Sequence, residues 1–282
     1  MGDISMKQRA TFSIGKFLIY IALIILSATA LTPFLWMIST ALKQSEYVLS
    51  IPPRFIPDPV SISSFTRLFD IFPMGRMFFN SVVVTAAALL GQLVTSAMAA
   101  YAFARIEFRF RKVLFFLYVM TLMVPYQVTV TPLFILMSKL RLVNTYGGLI
   151  LPVFYSAFGV FLLHQAFLTM PRELEESAFI DGASPGIVFL RIYLPLIKPS
   201  MVTLGVLSFM GVWNSFLWPL FVIRDQEMMT LPVGLAALQG EYLTEWNMVM
   251  AGALISLVPI IIVFLLAQKY FIQGMSRSGI KN

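Results

Sequence analysis

Glu176-Ser177-Ala178-Phe179-Ile180-Asp181-Gly182-Ala183-Ser184-Pro185, followed by Ile192-Tyr193-Leu194-Pro195, is a polar, acidic stretch inside a strongly apolar chain. Its residue order predicts a shape. Pro171 suits the first turn of a helix, and Glu173, Glu175 and Glu176 place negative charge near the helix's positive end. Asp181-Gly182 marks the stop, because glycine can take the left-handed conformation of a helix cap. Ser184-Pro185 then opens a second short helix, serine capping and proline at its first position. That helix carries Ile187, Val188, Leu190 and Ile192 before Pro195 and Pro199 end it. Such helices are too short to persist unless packed against something. Composition alone leaves two readings: a linker lying on a membrane surface, or an element built to dock a partner.

Outward from this loop the chain reads as membrane-embedded. It is 59% hydrophobic and 12% charged, with a mean hydropathy of +0.86. Residues 17–42, 77–104, 113–138, 142–171, 199–223 and 246–268 contain no Asp, Glu, Lys or Arg. Each run exceeds the roughly 20 residues that cross about 30 Å of hydrocarbon as a helix. Lipid offers the backbone no hydrogen-bond partner, so the spans must be helical. One charge at a helix centre costs roughly 2.5–3.5 kcal/mol on insertion scales, so chance does not produce six such gaps. The predicted class is an all-α integral membrane protein with six transmembrane helices.

Lys and Arg set the orientation. With the N-terminus inside, the inner segments hold Lys7, Arg9, Lys16, Arg105, Arg109, Arg111, Lys112, Arg172, Arg191, Lys198, Lys269, Arg277 and Lys281, the larger share of the 20. The last outer loop opposes Arg224 with Asp225, Glu227, Glu241 and Glu245. Both termini and the loop 171–199 are therefore expected on the cytoplasmic side. The net charge of +7 fits anionic lipid at that face rather than nucleic acid. The chain divides into a basic tail at 1–16, a first span at 17–42, a proline-rich irregular outer segment at 43–76, a five-span core at 77–271 and a tail at 272–282.

Several function classes fall away. There is no cysteine and a single histidine, so thiolate chemistry and histidine metal clusters are excluded. No span carries an ionisable residue in its middle third, as ion-coupled carriers generally require. His164, near the inner end of a span, reads as a hydrogen-bonded or interfacial residue. Gly15-Lys16 lacks the rest of a phosphate-binding loop, so a nucleotide engine, if there is one, sits on another polypeptide. Nothing resembles a channel selectivity filter. Breakers at Pro125, Pro132, Pro152, Gly159, Pro219 and Pro259 predict kinks in the last four spans.

The loop resembles the "EAA" motif of bacterial ATP-binding-cassette importer permeases, carried by Glu176, Ala178, Asp181, Gly182, Ala183, Ile192, Leu194 and Pro195, with Ser177 replacing the usual first alanine. The likeness extends to residues 33–43, Asn80-Ser81, 99–105, Trp213-Asn214-Ser215-Phe216-Leu217-Trp218-Pro219, Leu231-Pro232-Val233-Gly234 and 274–282. Together these are similar to the carbohydrate-uptake subgroup, which includes the maltose permeases. The resemblance implies the type I (MetI-like) importer fold with a cytoplasmic coupling helix. It also implies a non-catalytic subunit forming half of a pathway for a sugar or oligosaccharide; a polyol or glycerol phosphate is the alternative solute, and an ion-coupled carrier a remoter one.

The implied partners are a second permease, which the resemblance favours as a different chain, two copies of an ATPase that bind ATP and Mg, and an extracytoplasmic solute-binding protein. No cofactor is expected on this chain. The loop residues named above would couple to the ATPase, with the tail residues Ser276, Gly279 and Lys281 near it and the outer loop 225–246 facing the binding protein. Trp213, Asn214 and Trp218 are candidates for the solute path, because aromatic faces and amides hold sugar rings and Asn214 and Trp218 would lie one helical turn apart. Membrane anchoring and helix–helix bonding are the plainer roles for the same residues.

Overall fold

A computed structural model describes residues 14–239 and 244–278. Among them the structure is helical, with one isolated bridge, Gln239 to Thr244. Three helices cross unbroken: α1 (Ile14–Ala41), α3 (Met74–Arg105) and, at the end of the described chain, Trp246–Ser278. Between α1 and α3 lies α2 (Ser63–Ile71). The outer segment is thus not irregular throughout. Between Pro59 and Pro73 it carries no proline, and there Ser64 and Leu68, one turn apart, bury themselves in the bundle.

The remaining apolar runs are broken. Helix α4 (Arg111–Met120) passes through a 3-10 turn into α5 (Tyr126–Lys139), and the two parts of the run meet at 100°. Next, α6 (Tyr146–Ile150) and the turn Leu151–Val153 meet α7 (Ala157–Leu168) at 40°. The loop contributes α8 (Glu173–Ile180), α9 (Pro185–Ile187), a π-helical stretch (Val188–Tyr193) and α10 (Leu194–Leu196). A 75° bend leads into α11 (Lys198–Trp213), which is followed by α12 (Leu217–Val222), α13 (Leu231–Ala237) and α14 (Trp246–Ser278).

Pro125 and Pro152 lie at breaks, as expected, whereas Pro132 and Pro259 sit inside continuous helices. The run 199–223 is interrupted at Asn214-Ser215-Phe216, ahead of Pro219. Gly159 is a packing position rather than a kink: a Cβ there would collide with the Ser96 hydroxyl. Gly91 likewise admits the Phe154 ring, so α3 and the α6–α7 crossing approach over small residues, Ala97, Ala100 and Ala104 among them. Three buried clusters result. One joins α3, α7 and the loop, a second joins α2, α3, α11, α13 and α14, and a third gathers Val84, Leu149, Trp218 and Val222. His164 is a packed residue, stacked on Phe115 with ring centroids 4.0 Å apart.

The loops sort into two ends. Arg105, Phe167, Met170 and Glu175 meet at one, while Asn80, Tyr146, Asn144, Asp225 and Glu227 interact at the other. Segments assigned to the same side by their charge thus touch one another.

Candidate coupling loop and solute path

The loop folds as its residue order predicts, with adjustments. Arg172 occupies the N-cap of α8, so Pro171 precedes the helix; Glu173, Glu175 and Glu176 fill the first turn. At the other end Gly182 takes φ +82°, its N–H donates to Phe179 O (3.0 Å), and Ala183 N–H donates to Ala178 O (2.9 Å). This paired closure is a Schellman cap. Ser184 stands at the N-cap of α9 without a side-chain capping bond, and Pro185 is at the first position. Pro195 does not end the second helix. Wide π-helical turns precede it, and the helix continues to Leu196 before the bend into α11. A π turn alters the hydrogen-bond register where a proline has no donor to offer.

Burial divides the motif in two. Ala178, Ala183, Ile192 and Leu194 are half-buried against the cluster of α3 and α7 and seat the loop on the bundle. Glu176, Asp181, Gly182 and Pro195 are exposed. Beside them project two apolar residues that motif matching passes over, Phe179 and Ile180, the latter 86% exposed. Ile187 and Leu190 are exposed as well. An acidic edge flanked by uncovered apolar side chains has the composition of a docking face.

Beneath the loop sits an ionic cluster that charge counting misplaces. By sequence Arg105 belongs with the surface cations of the inner face, yet its side chain is 4% exposed. Its Nη2 donates to the carbonyl of Phe167 and to that of Met170 (2.6 Å), at the C-terminal end of α7, and Nη1 lies 3.9 Å from Glu175 Oε2. The Tyr193 hydroxyl donates to the same carboxylate oxygen across 2.8 Å, and the Arg105 guanidinium lies 4.8 Å from the Tyr193 ring centre. Burial, reinforced by the hydrogen bond to Glu175, pushes the Tyr193 hydroxyl well above the ordinary tyrosine range. The available signal is position: Arg105 ends a charge-free run in register with the inner cluster of α3.

The three path candidates separate. Trp213 is buried and donates its indole N–H to Ser256 O (3.1 Å); Trp218 is buried and donates to Gly148 O (2.9 Å). Both are packed in the core, as the plainer helix-bonding role requires. The break after Trp213 also removes the one-turn relation between Asn214 and Trp218, which a continuous helix would have provided. Asn214 alone is exposed, its amide donating to Met210 O (2.9 Å). It lines, with Ser256 and Gln239, a cavity of about 470 Å³ between α1, α13 and α14. A second cavity of about 270 Å³ is lined in part by Gln92, Ser156, Ser208 and Ser215. Ser276 lies within α14, whereas Gly279 and Lys281 fall outside the described residues, as does part of the outer loop 225–246.

Residues 92–277, which contain the loop, its ionic anchor and both tryptophans, match the model of the binding-protein-dependent transport system inner membrane component. The chain belongs to this family. Among relatives of this permease, the arabinooligosaccharides transport system permease protein AraQ of Halalkalibacterium halodurans is 35% identical over 97% of the chain and 99% of its own length. The sn-glycerol-3-phosphate transport system permease protein UgpE of Escherichia coli O1:K1 is 38% identical over 72% of this chain and 73% of its own. In three dimensions the permease superposes with a TM-score of 0.82 on a chain of a bacterial ABC transporter involved in the import of the acidic polysaccharide alginate. That match covers 96% of this chain and 100% of the other at 23% identity, and it supports the shared fold.

Proposed function

We propose that this permease forms half of the membrane pathway of an ATP-driven importer for a sugar or oligosaccharide. A solute-binding protein delivers the solute on the outer side, and two copies of a separate ATPase, which bind ATP and Mg, dock at the loop 171–199. A second permease, a different chain, completes the pathway. Both termini lie in the cytoplasm, a placement that the distribution of Lys and Arg supports.

The observation that carries this reading is the split loop: its small and apolar residues are seated on the bundle while Glu176, Asp181, Phe179 and Ile180 face away. A capped, stiff element transmits rigid-body motion that a floppy segment would absorb. ATP binding draws the ATPases together, the docked loops follow, and the broken crossings switch access from one side to the other.

The likeness to the glycerol phosphate permease favours a second solute class. The charge of the cavities supports the sugar. A few neutral amides and hydroxyls, Asn214, Gln92, Ser208 and Ser215 among them, stand in the largely apolar linings of the two described above, and neither is lined by Lys or Arg. A phosphate dianion entering such a site would leave water without a compensating cation; a neutral sugar exchanges hydroxyl hydrogen bonds. Of the path candidates Asn214 is retained.

The test is uptake into proteoliposomes containing the affinity-purified chain with its co-purifying permease and ATPases, supplied with binding protein. ATP-dependent uptake of labelled arabino-oligosaccharide is expected; uptake of glycerol phosphate in its place selects the second reading. Sidedness is read by placing a cysteine at Ile180 of this cysteine-free chain. A membrane-impermeant maleimide should label it in inverted vesicles and not in intact cells.

A further inference from the structure

We propose that Arg105 is the positioning residue through which movement of the docked loop reaches the membrane spans, a role that rests on the importer reading above. Besides the apolar side chains already described, the loop is held to the bundle by rings, by one long hydroxyl bond and by a charge. The rings are tilted or edge-on, Tyr101 against Phe189 and Tyr193 with centroids 5.0 and 5.7 Å apart and Phe167 against Tyr193 at 5.8 Å. Ring packing is broad and tolerates sliding, and the Tyr101 hydroxyl reaches the Pro185 carbonyl only at 3.5 Å. The charge is the guanidinium, which is directional.

The geometry of that charge makes it a joint rather than a staple. On the span side Arg105 is bound tightly: it belongs to α3 and donates to carbonyls at the end of α7, where a cation complements the helix dipole. On the loop side the Glu175 carboxylate is tethered by the Tyr193 hydroxyl at 2.8 Å, so α8 and the π-helical stretch form one unit. Between the two units the ion pair is long, 3.9 Å, and the cation rests on the Tyr193 ring. The Nε donor of the same guanidinium is buried without a partner. A long pair beside a spare donor leaves the fork a second arrangement to adopt when the loop is displaced. A buried charge that selects between packings is the best-attested use of such groups. Lysine, a point charge without the planar fork, cannot hold two carbonyls and a carboxylate at fixed angles.

The experiment uses the complete reconstituted complex and compares wild type with Arg105→Lys, Glu175→Gln and the double variant, reading bound ATPase, ATP hydrolysis and solute uptake. ATPase binding should be retained and hydrolysis should stay within about twofold, while solute moved per ATP falls about tenfold in each single variant. The double variant should be no worse than either single, because both remove one shared contact. An unchanged solute-to-ATP ratio in the single variants overturns the proposal. So does a parallel loss of hydrolysis, uptake and bound ATPase in Glu175→Gln, which would make the cluster a support only. If Arg105→Lys fails to assemble, Glu175→Gln decides alone. A wild-type complex that moves no solute with ATP overturns the importer reading itself, which separates the two failures.

Discussion

The indole N–H of Trp218 donates to the carbonyl of Gly148 across 2.9 Å, and both residues are buried. The bond pins α12 to α6. Glycine is needed at 148 because a Cβ there would collide with the Leu142 carbonyl oxygen. Replacing Trp218 with phenylalanine leaves the Gly148 carbonyl unpaired and should destabilise the protein by about 1–3 kcal/mol. Thermal unfolding of the solubilised complex should move down while relative uptake of competing solutes stays constant. A changed solute preference at unchanged stability would return Trp218 to the path.

Gly182 is open to solvent, with nothing within 4 Å of where a Cβ would stand, so its requirement is conformational. At φ +82° a β-branched residue carries about 1–3 kcal/mol of strain, whereas asparagine tolerates the left-handed region. Gly182→Val should abolish uptake with membrane insertion intact, and Gly182→Asn should retain most of it. Normal uptake by the valine variant removes the turn from the coupling path.

Glu176 is exposed on α8 and belongs to neither of the ion pairs found among the described residues. Glu176→Lys therefore leaves the fold unchanged and should abolish co-purification of the ATPase. A linker helix on the bilayer would show almost no effect, so the pull-down separates the two roles.

Asn80 is wholly buried and ties the far end together: its amide donates to the carbonyls of Glu227 (2.8 Å) and Met229 (2.9 Å) and accepts from the Tyr146 hydroxyl. Asn80→Ala should weaken binding-protein-stimulated ATP hydrolysis by about tenfold while basal hydrolysis persists. Equal loss of both activities would indicate general unfolding instead.

Asn214→Ala removes one exposed amide beside the 470 Å³ cavity. Loss of a single hydrogen bond to solute should raise the half-saturation concentration roughly fivefold with little change in stability. Unaltered affinity takes Asn214 off the path.

Much of this architecture can be read from the chain. Six charge-free runs account for the crossings, and the order Glu, Asp-Gly, Ser-Pro specifies a capped helical turn down to the sign of φ at Gly182. Breakage is less legible. Pro125 accompanies a 100° elbow and Pro132 leaves α5 continuous, although both lack the same donor. Which one bends depends on neighbours that supply or deny partners to the freed carbonyl. The tryptophans are ambiguous for a related reason: an aromatic that stacks on sugar and one that fills a core are the same letter, and the break after Trp213 falls at the polar pair Asn214-Ser215, which a count of charges passes over. Arg105 misleads because a single sequence shows a charge but not the carbonyls of Phe167 and Met170 waiting for it.

The interrupted crossings have an energetic consequence for repeated motion. Melting an intact helix in hydrocarbon strands carbonyl and amide groups at several kcal/mol apiece, a barrier to be climbed on every cycle. Here the elbows at 100° and 40° and the break at Asn214-Ser215-Phe216 are already present in the folded chain. The pieces on either side can swing as whole rods, and the backbone bonds within each rod stay closed throughout the stroke.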